Sequence, residues 1–177
     1  MKIALLKNLL LVLFVIKDYN VIAQKKNFKN YIPSDYSLLD SSTGDFNSDG
    51  ITDIAIILKH INEDSLPDLQ RPLLILFGTN VGLKLYARND NVILCKKSGG
   101  LFGDPFQGIT IAKSKLVIEF FGGHGKRWLR VIEFKYYKTK NKFLLYSDKG
   151  AFLNESMKFY HSRDFGILDF EKYNYRK

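Results

Sequence analysis

Short runs of β-branched and aromatic residues, separated by turn residues, extend along most of this chain. None continues into a long apolar stripe with the 3.6-residue period of an amphipathic helix. The predicted strands are 36–40, 54–59, 72–78, 83–89, 109–112, 116–121, 128–137 and 143–147. Short polar turns at 79–82, 113–115 and 138–142 are typical of β-hairpins. The pattern predicts an all-β fold, an antiparallel sandwich or a strongly curved sheet, in a single domain with little helix.

A loop with the ligand spacing of a calcium site precedes the second predicted strand. Ca²⁺ takes roughly six to eight oxygen ligands, and a glycine at position 6 allows the sharp turn that directs them to one point. Positions 1, 3, 5 and 9 of segment 45–53 carry side-chain oxygens, position 6 is Gly50, and position 7 offers a backbone carbonyl. The predicted metal ligands are Asp45, Asn47, Asp49, Ile51 and Asp53.

The same segment differs from an EF-hand loop after its ninth position. Position 12 is Ile56 where an EF-hand has a bidentate glutamate, and the apolar run 54–58 indicates a buried strand. We therefore expect a calcium-type loop that leads into a strand, with Ca²⁺ as the cofactor. The alternative is a surface turn without metal, because Asp, Asn and Gly favour turns in any case.

The first 23 residues have the layout of a secretory signal peptide. Lys2 and Lys7 give a positive start, an apolar run covers 9–16, and Ala23 offers a small residue for cleavage before Gln24. The run is shorter than the roughly 20 residues of a spanning helix. We expect export to the periplasm, outer surface or extracellular space, the alternative being a retained interfacial anchor. A loose basic lead-in at 24–30 and a single β-rich domain at 31–177 follow.

The chain is basic, with a formal net charge of +9, and stays basic without the leader. In an exported protein this surplus favours solubility, or an envelope protein or anionic glycan as partner. Nucleic-acid binding would need basic side chains interleaved with exposed aromatic ones, whereas the lysines lie mostly in turns. Cys95 is the single cysteine and lies in an apolar run. It excludes an internal disulfide and is predicted to be a buried thiol rather than a nucleophile.

Two glycine-rich segments, 99–108 and 122–128, contain the remaining candidate site. If their loops meet at one end of the sheet, Asp104, Arg127 and Trp128 are predicted to line a ligand pocket, because Trp and Arg are frequent at recognition sites. The alternative is architectural: the glycines permit tight bends, and the aromatic side chains close the end of the core. Neither segment has the Gly-Lys-Ser/Thr sequence of a phosphate loop.

No catalytic residue is assigned from the sequence. The three histidines, His60, His124 and His161, lie far apart, and the HExxH, Gly-x-Ser-x-Gly and CxxC motifs are missing from the sequence. We expect a non-enzymatic binding or structural module of the cell envelope. The alternative is an enzyme acting on glycan or another envelope polymer, with its site at the two glycine-rich loops.

The calcium-type loop also resembles a known class of repeat. Segment 45–53, with Ser42-Thr43-Gly44 before it and Ile54-Ala55-Ile56 after it, is similar to the calcium loop of FG-GAP/VCBS-type repeats. No second copy of the loop is found in the sequence, which excludes a propeller built from many copies. The resemblance implies a β fold and one Ca²⁺ held by the loop.

The whole chain beyond the leader resembles small exported bacterial proteins of unknown function that carry one such loop. The similar segments are 31–33, 44–50, 71–76, 88–90, 99–109, 122–128, 164–166 and 169–171. The chain departs from that family before Arg127-Trp128, where His124, Gly125 and Lys126 replace small residues and an aromatic one. The resemblance implies a fold and a calcium loop, and it implies no activity.

Overall fold

The computed structural model describes residues 27–152, 158–159 and 164–175, so the predicted signal peptide lies outside the described residues. The strands are β1 (Tyr36–Gly44), β2 (Asp53–His60), β3 (Arg71–Thr79), β4 (Gly82–Ile93), β5 (Phe106–Ala112), β6 (Lys115–His124), β7 (Lys126–Tyr137), β8 (Lys142–Phe152) and β9 (Lys158–Phe159). Short 3-10 helices occur at Phe28–Tyr31, Lys96–Gly99 and Phe170–Lys172. In the described part of the chain, no helix has the length and apolarity to cross a bilayer.

The strands form two antiparallel sheets in which every strand pairs with its neighbour in sequence. The first sheet has the order β1-β2-β3-β4, and the second has the order β5-β6-β7-β8-β9. All eight predicted strands lie inside observed ones, and the three predicted hairpins join β3 to β4, β5 to β6 and β7 to β8. The prediction of an all-β sandwich in a single domain is therefore confirmed.

One apolar core fills the space between the two sheets. Alternate residues of the second sheet face inward, as Ile132, Phe134 and Tyr136 do along β7, because successive side chains of a strand point to opposite faces. Phe170 and Tyr173 from the C-terminal segment are also buried in this core. The predicted burial of Cys95 is confirmed.

The outer face of the first sheet carries a second apolar cluster. Its members on β2 and β3 are Ile54, Ile56, Leu58, Leu74 and Leu76, each almost fully buried. Phe28, Tyr31 and Ile32 pack against them, and the Tyr31 hydroxyl donates to the Leu83 carbonyl at 2.7 Å. The sequence predicted a loose lead-in as far as residue 30. Phe28 lies within this predicted lead-in and packs on the cluster, because the central strands are apolar on both faces.

Side chains of β1 join the edges of the two sheets. Asp40 Oδ2 accepts a hydrogen bond from the Ile109 amide, and Ser42 Oγ accepts one from the Ile111 amide. An added Cβ on Gly44 would lie 2.4 Å from Ile111 Cγ2, so only glycine permits this approach of β1 to β5. The contacts satisfy edge amides of β5 that would otherwise be open to pairing with another chain.

The meander order sorts the loops into two opposite ends. Because alternate turns of an antiparallel meander lie at the same end, the β1–β2 loop and the β3–β4 and β7–β8 turns lie together. We call this the loop end. The opposite end contains loop 61–70, the connection 94–105 and the β6–β7 turn, and we call it the glycine-rich end. The two candidate sites of the sequence thus lie at opposite ends of the sandwich.

Candidate metal loop and adjoining cavity

Three of the predicted ligands gather around one turn of the calcium-type loop, residues 45–53. Asp45 Oδ1 and Asn47 Oδ1 both accept from the Asp49 amide, at 3.2 and 3.0 Å. Asp45 Oδ2 accepts from the Gly50 amide at 2.9 Å. Gly50 has a φ of 81°, a left-handed conformation that suits glycine and closes the turn. Side-chain oxygens from positions 1 and 3 therefore converge on the backbone of position 5.

The other two predicted ligands contact the same segment in different ways. The Ile51 amide donates to Asp49 Oδ1 at 2.8 Å, which places position 7 beside position 5. Asp53 is fully buried at the start of β2. Its two carboxylate oxygens accept from the amides of Phe46 and Gly78, each at 2.8 Å. Asp53 therefore holds the base of the loop to the end of β3.

The carboxylates of the loop have hydrogen-bond donors around them but no cationic partner among the described residues. Burial raises the pKa of Asp53 above its ordinary 3.8, the amides of Gly78 and Phe46 oppose this rise, and the charges of Asp49 and Asp45 add to it. Among the ion pairs formed by described residues, none involves these three carboxylates. A cation at this position would relieve their mutual repulsion.

The side-chain oxygens of the loop are of the type that binds a hard cation, because Ca²⁺ prefers carboxylate and amide oxygens as ligands. Across residues 27–152 and 164–175, no three His, Cys, Asp or Glu side chains form a metal-binding group. This agrees with the different roles of the carboxylates: Asp45 and Asp49 belong to the turn, while Asp53 is engaged by backbone amides. The residues that would hold the ion first are Asp45, Asn47 and Asp49.

A cavity of about 440 Å³ adjoins the loop. It lies where the loop meets the β3–β4 and β7–β8 hairpins, and it opens at the loop end. Its walls come from both sheets and consist of Asn47, Asp49, Phe77, Gly78, Thr79, Lys84, Leu85, Tyr86, Tyr136 and Asn141. Asn47 and Asp49 therefore belong to the metal loop and to the cavity at once.

At the glycine-rich end, Asp104 belongs to a buried ion cluster. Arg71 is fully buried and uses all five of its N–H donors, in bonds of 2.5 to 3.3 Å to Glu63, Asp104 and the Leu94 carbonyl. Burial alone would raise the pKa of Asp104, but hydrogen bonds from Arg71 and the Phe106 amide outweigh it and hold this pKa below 3.8. We call Arg71, Glu63 and Asp104 the Arg71 cluster.

Arg127 and Trp128 lie at the same end but have other contacts. The two glycine-rich segments do meet, because Gly100 and Gly123 form a bridge and the Leu101 amide donates to the Gly123 carbonyl at 3.0 Å. The Arg127 guanidinium lies over the Phe102 ring, 5.4 Å from its centroid. The Trp128 indole covers Gly122, where an added Cβ would lie 2.6 Å from it. A ligand pocket formed by Asp104, Arg127 and Trp128 stays a prediction.

The sequence did not identify Arg71 and Glu63 at the glycine-rich end, or the cavity at the loop end. Arg71 gave one usable signal, a charged residue directly before a run of apolar ones at the start of a strand. Glu63 gave none, since it lies in a polar loop. The cavity gave none either, because Phe77, Tyr86 and Tyr136 come from three strands whose periodicity indicates only core packing.

Comparison with known proteins found no match to this chain among protein-family models, curated proteins or solved structures. The resemblance to FG-GAP/VCBS-type loops therefore stays a prediction.

Proposed function

We propose that this protein is an exported, non-enzymatic binding or structural module of the cell envelope, and that one Ca²⁺ in the β1–β2 loop stabilises it. The observation that carries the proposal is the geometry of Asp45, Asn47 and Asp49. Their oxygens lie around one tight turn, and the carboxylates there have no cationic partner among the described residues. A divalent cation supplies the charge that the protein itself does not provide.

The proposed partners are an envelope protein or an anionic glycan. The formal net charge of +9 supports an anionic partner through long-range attraction. We do not propose the alternative function of a glycan-acting enzyme. Asp104 and Arg127, which it requires in one site, contact different groups: Asp104 pairs with Arg71, and Arg127 lies over Phe102.

Thermal melts of the protein without its leader test the calcium proposal. A ligand that binds only the folded state adds about 2.7 kcal/mol to the free energy of unfolding at a hundredfold excess over Kd. We expect a higher midpoint in millimolar Ca²⁺ than in EDTA, and we expect Asp49→Ala to remove the difference. The control is Asp64→Ala, whose side chain is 85% exposed and outside the loop, and which should retain it. Identical midpoints for confirmed metal-free and metal-loaded protein would refute the proposal.

The export part of the proposal has its own test. Protein recovered from the envelope or the medium of the native cell should begin at or near Gln24, because Ala23 is the small residue at the expected cleavage site. Mass spectrometry of the N-terminal peptide measures this directly. An intact Met1 on correctly located protein would show that the leader is retained as an anchor.

A further inference from the structure

We propose that the cavity beside the calcium-type loop, with Asp49, Lys84, Tyr86, Tyr136 and Asn141 in its walls, binds one neutral saccharide unit. The inference rests on the proposed function as a binding module and names a neutral sugar unit, free or within a glycan whose charged groups lie outside the cavity, as its ligand. It concerns the opposite end of the sandwich from the pocket predicted at Asp104, Arg127 and Trp128.

The size and position of the cavity suit a small ligand. Small-molecule sites in proteins typically have volumes of about 300–1,000 Å³, and this cavity measures about 440 Å³. It is built on strand ends of both sheets and on two hairpin turns. Such a site is held by the framework of the fold, so a ligand would find it largely formed.

The walls of the cavity offer many hydrogen-bond acceptors. The Tyr86 hydroxyl donates to the Asn141 backbone carbonyl at 2.6 Å, and the Tyr136 hydroxyl donates to Asn141 Oδ1 at 2.7 Å. Because both phenolic protons are used, the phenolic oxygens remain as acceptors toward a ligand. Asp49 adds carboxylate oxygens to the same wall, and a lone pair that neither Ca²⁺ nor the loop's own donors use can accept from a ligand. A ligand rich in hydroxyl donors matches this arrangement.

The charges of the cavity favour a neutral ligand over a charged one. In the metal-free protein Asp49 and Lys84 line it together with opposite charges, so a cationic ligand meets the Lys84 ammonium and an anionic ligand meets the Asp49 carboxylate. Burial raises the pKa of Tyr86 to about 12. Burial also raises the pKa of Tyr136, with the charges of Asp53 and Asp49 adding to the shift. Both phenols therefore stay neutral at physiological pH and contribute no charge.

An apolar wall stands beside these polar groups. The rings of Phe77 and Tyr86 are stacked with centroids 4.2 Å apart, and Leu85, in the same wall, is 42% exposed. Aromatic faces carry partial negative charge, which attracts the partly positive C–H groups on one face of a sugar ring. Hydroxyl donors around the rim and C–H groups on one face are together the chemistry of a saccharide.

Calorimetric titration of the protein with a panel of sugars tests the inference. The probes are glucose, galactose, mannose and N-acetylglucosamine with their β-linked disaccharides, and the charged analogues glucuronic acid and glucosamine. We expect saturable binding of at least one neutral probe, tighter than the charged analogues. Tyr86→Phe, which keeps the stacked ring and removes one acceptor, should weaken binding about 2- to 10-fold. Leu85→Trp, which fills the cavity, should abolish it.

Matched controls separate the cavity from the rest of the surface. Val81→Trp adds the same ring at the tip of the same hairpin, where the residue is 94% exposed and outside the cavity. Tyr146→Phe removes a hydroxyl from a tyrosine that is 39% exposed and likewise outside the cavity. Both should bind sugar as the unmodified protein does, and circular dichroism checks that every variant is folded.

Three results would overturn the inference: no binding of any neutral probe, tighter binding of a charged analogue, or binding that Leu85→Trp leaves unchanged. Its failure is distinguishable from that of the proposed function. A Ca²⁺-dependent melt without sugar binding removes the saccharide site and leaves the calcium module standing. Sugar binding without any effect of Ca²⁺ on the melt removes the calcium module and leaves the saccharide site standing.

Discussion

The two ends of the sandwich handle buried negative charge in opposite ways. At the glycine-rich end, Arg71 pairs with both Glu63 and Asp104 through hydrogen bonds to their carboxylates, and the pKa of Asp104 is lowered as a result. At the loop end, Asp53 is fully buried but accepts only from backbone amides, and its pKa is raised. The carboxylates of one end have a cationic side chain as partner, whereas those of the other have none among the described residues and are where we propose that Ca²⁺ binds.

This difference indicates an architectural role for the glycine-rich end and a capacity for ligands at the loop end. A buried arginine with every donor used has no capacity left for a ligand, and breaking such a cluster leaves an uncompensated charge in the interior. Oxygens that converge in a turn beside an open cavity retain capacity for an ion or a small molecule. The Arg71 cluster is therefore the less suitable place for a binding site.

The largest effect is expected from Arg71→Gln. Removing the guanidinium leaves Glu63, which is almost fully buried, without its cation, and the loss should be about 3–5 kcal/mol in the free energy of unfolding. Urea denaturation measures this loss. It should be the same in EDTA as in Ca²⁺, because distant sites without shared partners contribute additively.

Arg88→Gln is the matched control, because the Arg88–Asp90 pair is exposed and should contribute at most about 1 kcal/mol. A loss in Arg71→Gln no greater than in this control would contradict the assignment of an architectural role to the cluster. A loss that depends on Ca²⁺ would show that the two ends are coupled rather than independent.

Smaller and unequal effects are expected from Asp104→Asn and Arg127→Gln. Asp104→Asn weakens the bonds to Arg71 and should cost about 1–3 kcal/mol. Arg127 is exposed and lies over one aromatic ring, so Arg127→Gln should cost at most about 1 kcal/mol. Because the pKa of Asp104 is lowered in the folded state, its contribution is present above pH 3.8 and is lost as the pH falls through the lowered value.

Urea denaturation of both variants at neutral and acidic pH checks this order. The loss in the free energy of unfolding caused by Asp104→Asn should become smaller in acid. The loss caused by Arg127→Gln should not depend on the protonation of Asp104. Unchanged stability of both variants at neutral pH would count against the architectural role and in favour of a site at this end.

Local pattern was sufficient to predict the strands and hairpins. The period-2 alternation of β7 and the polar turn 79–82 are patterns of consecutive residues, so they can be recognised without knowledge of the tertiary structure. The packing of Phe28 was not predicted, for the opposite reason. Phe28 lies in a polar, basic segment and is packed only because the outer face of β2 and β3 needs a cover.

The sequence by itself determined the all-β sandwich and the oxygen-rich loop at 45–53, because side-chain periodicity and ligand spacing are properties of consecutive residues. Only the tertiary structure decided which charges meet. Arg71 and Asp104 are 33 residues apart in the chain and form one cluster, and Asp53 and Gly78 are 25 apart and hydrogen-bonded. The cavity likewise joins residues of three separate turns. Such contacts depend on how the two meanders stack, and the burial that shifts the pKa values of Asp53 and Asp104 exists only after that stacking has formed.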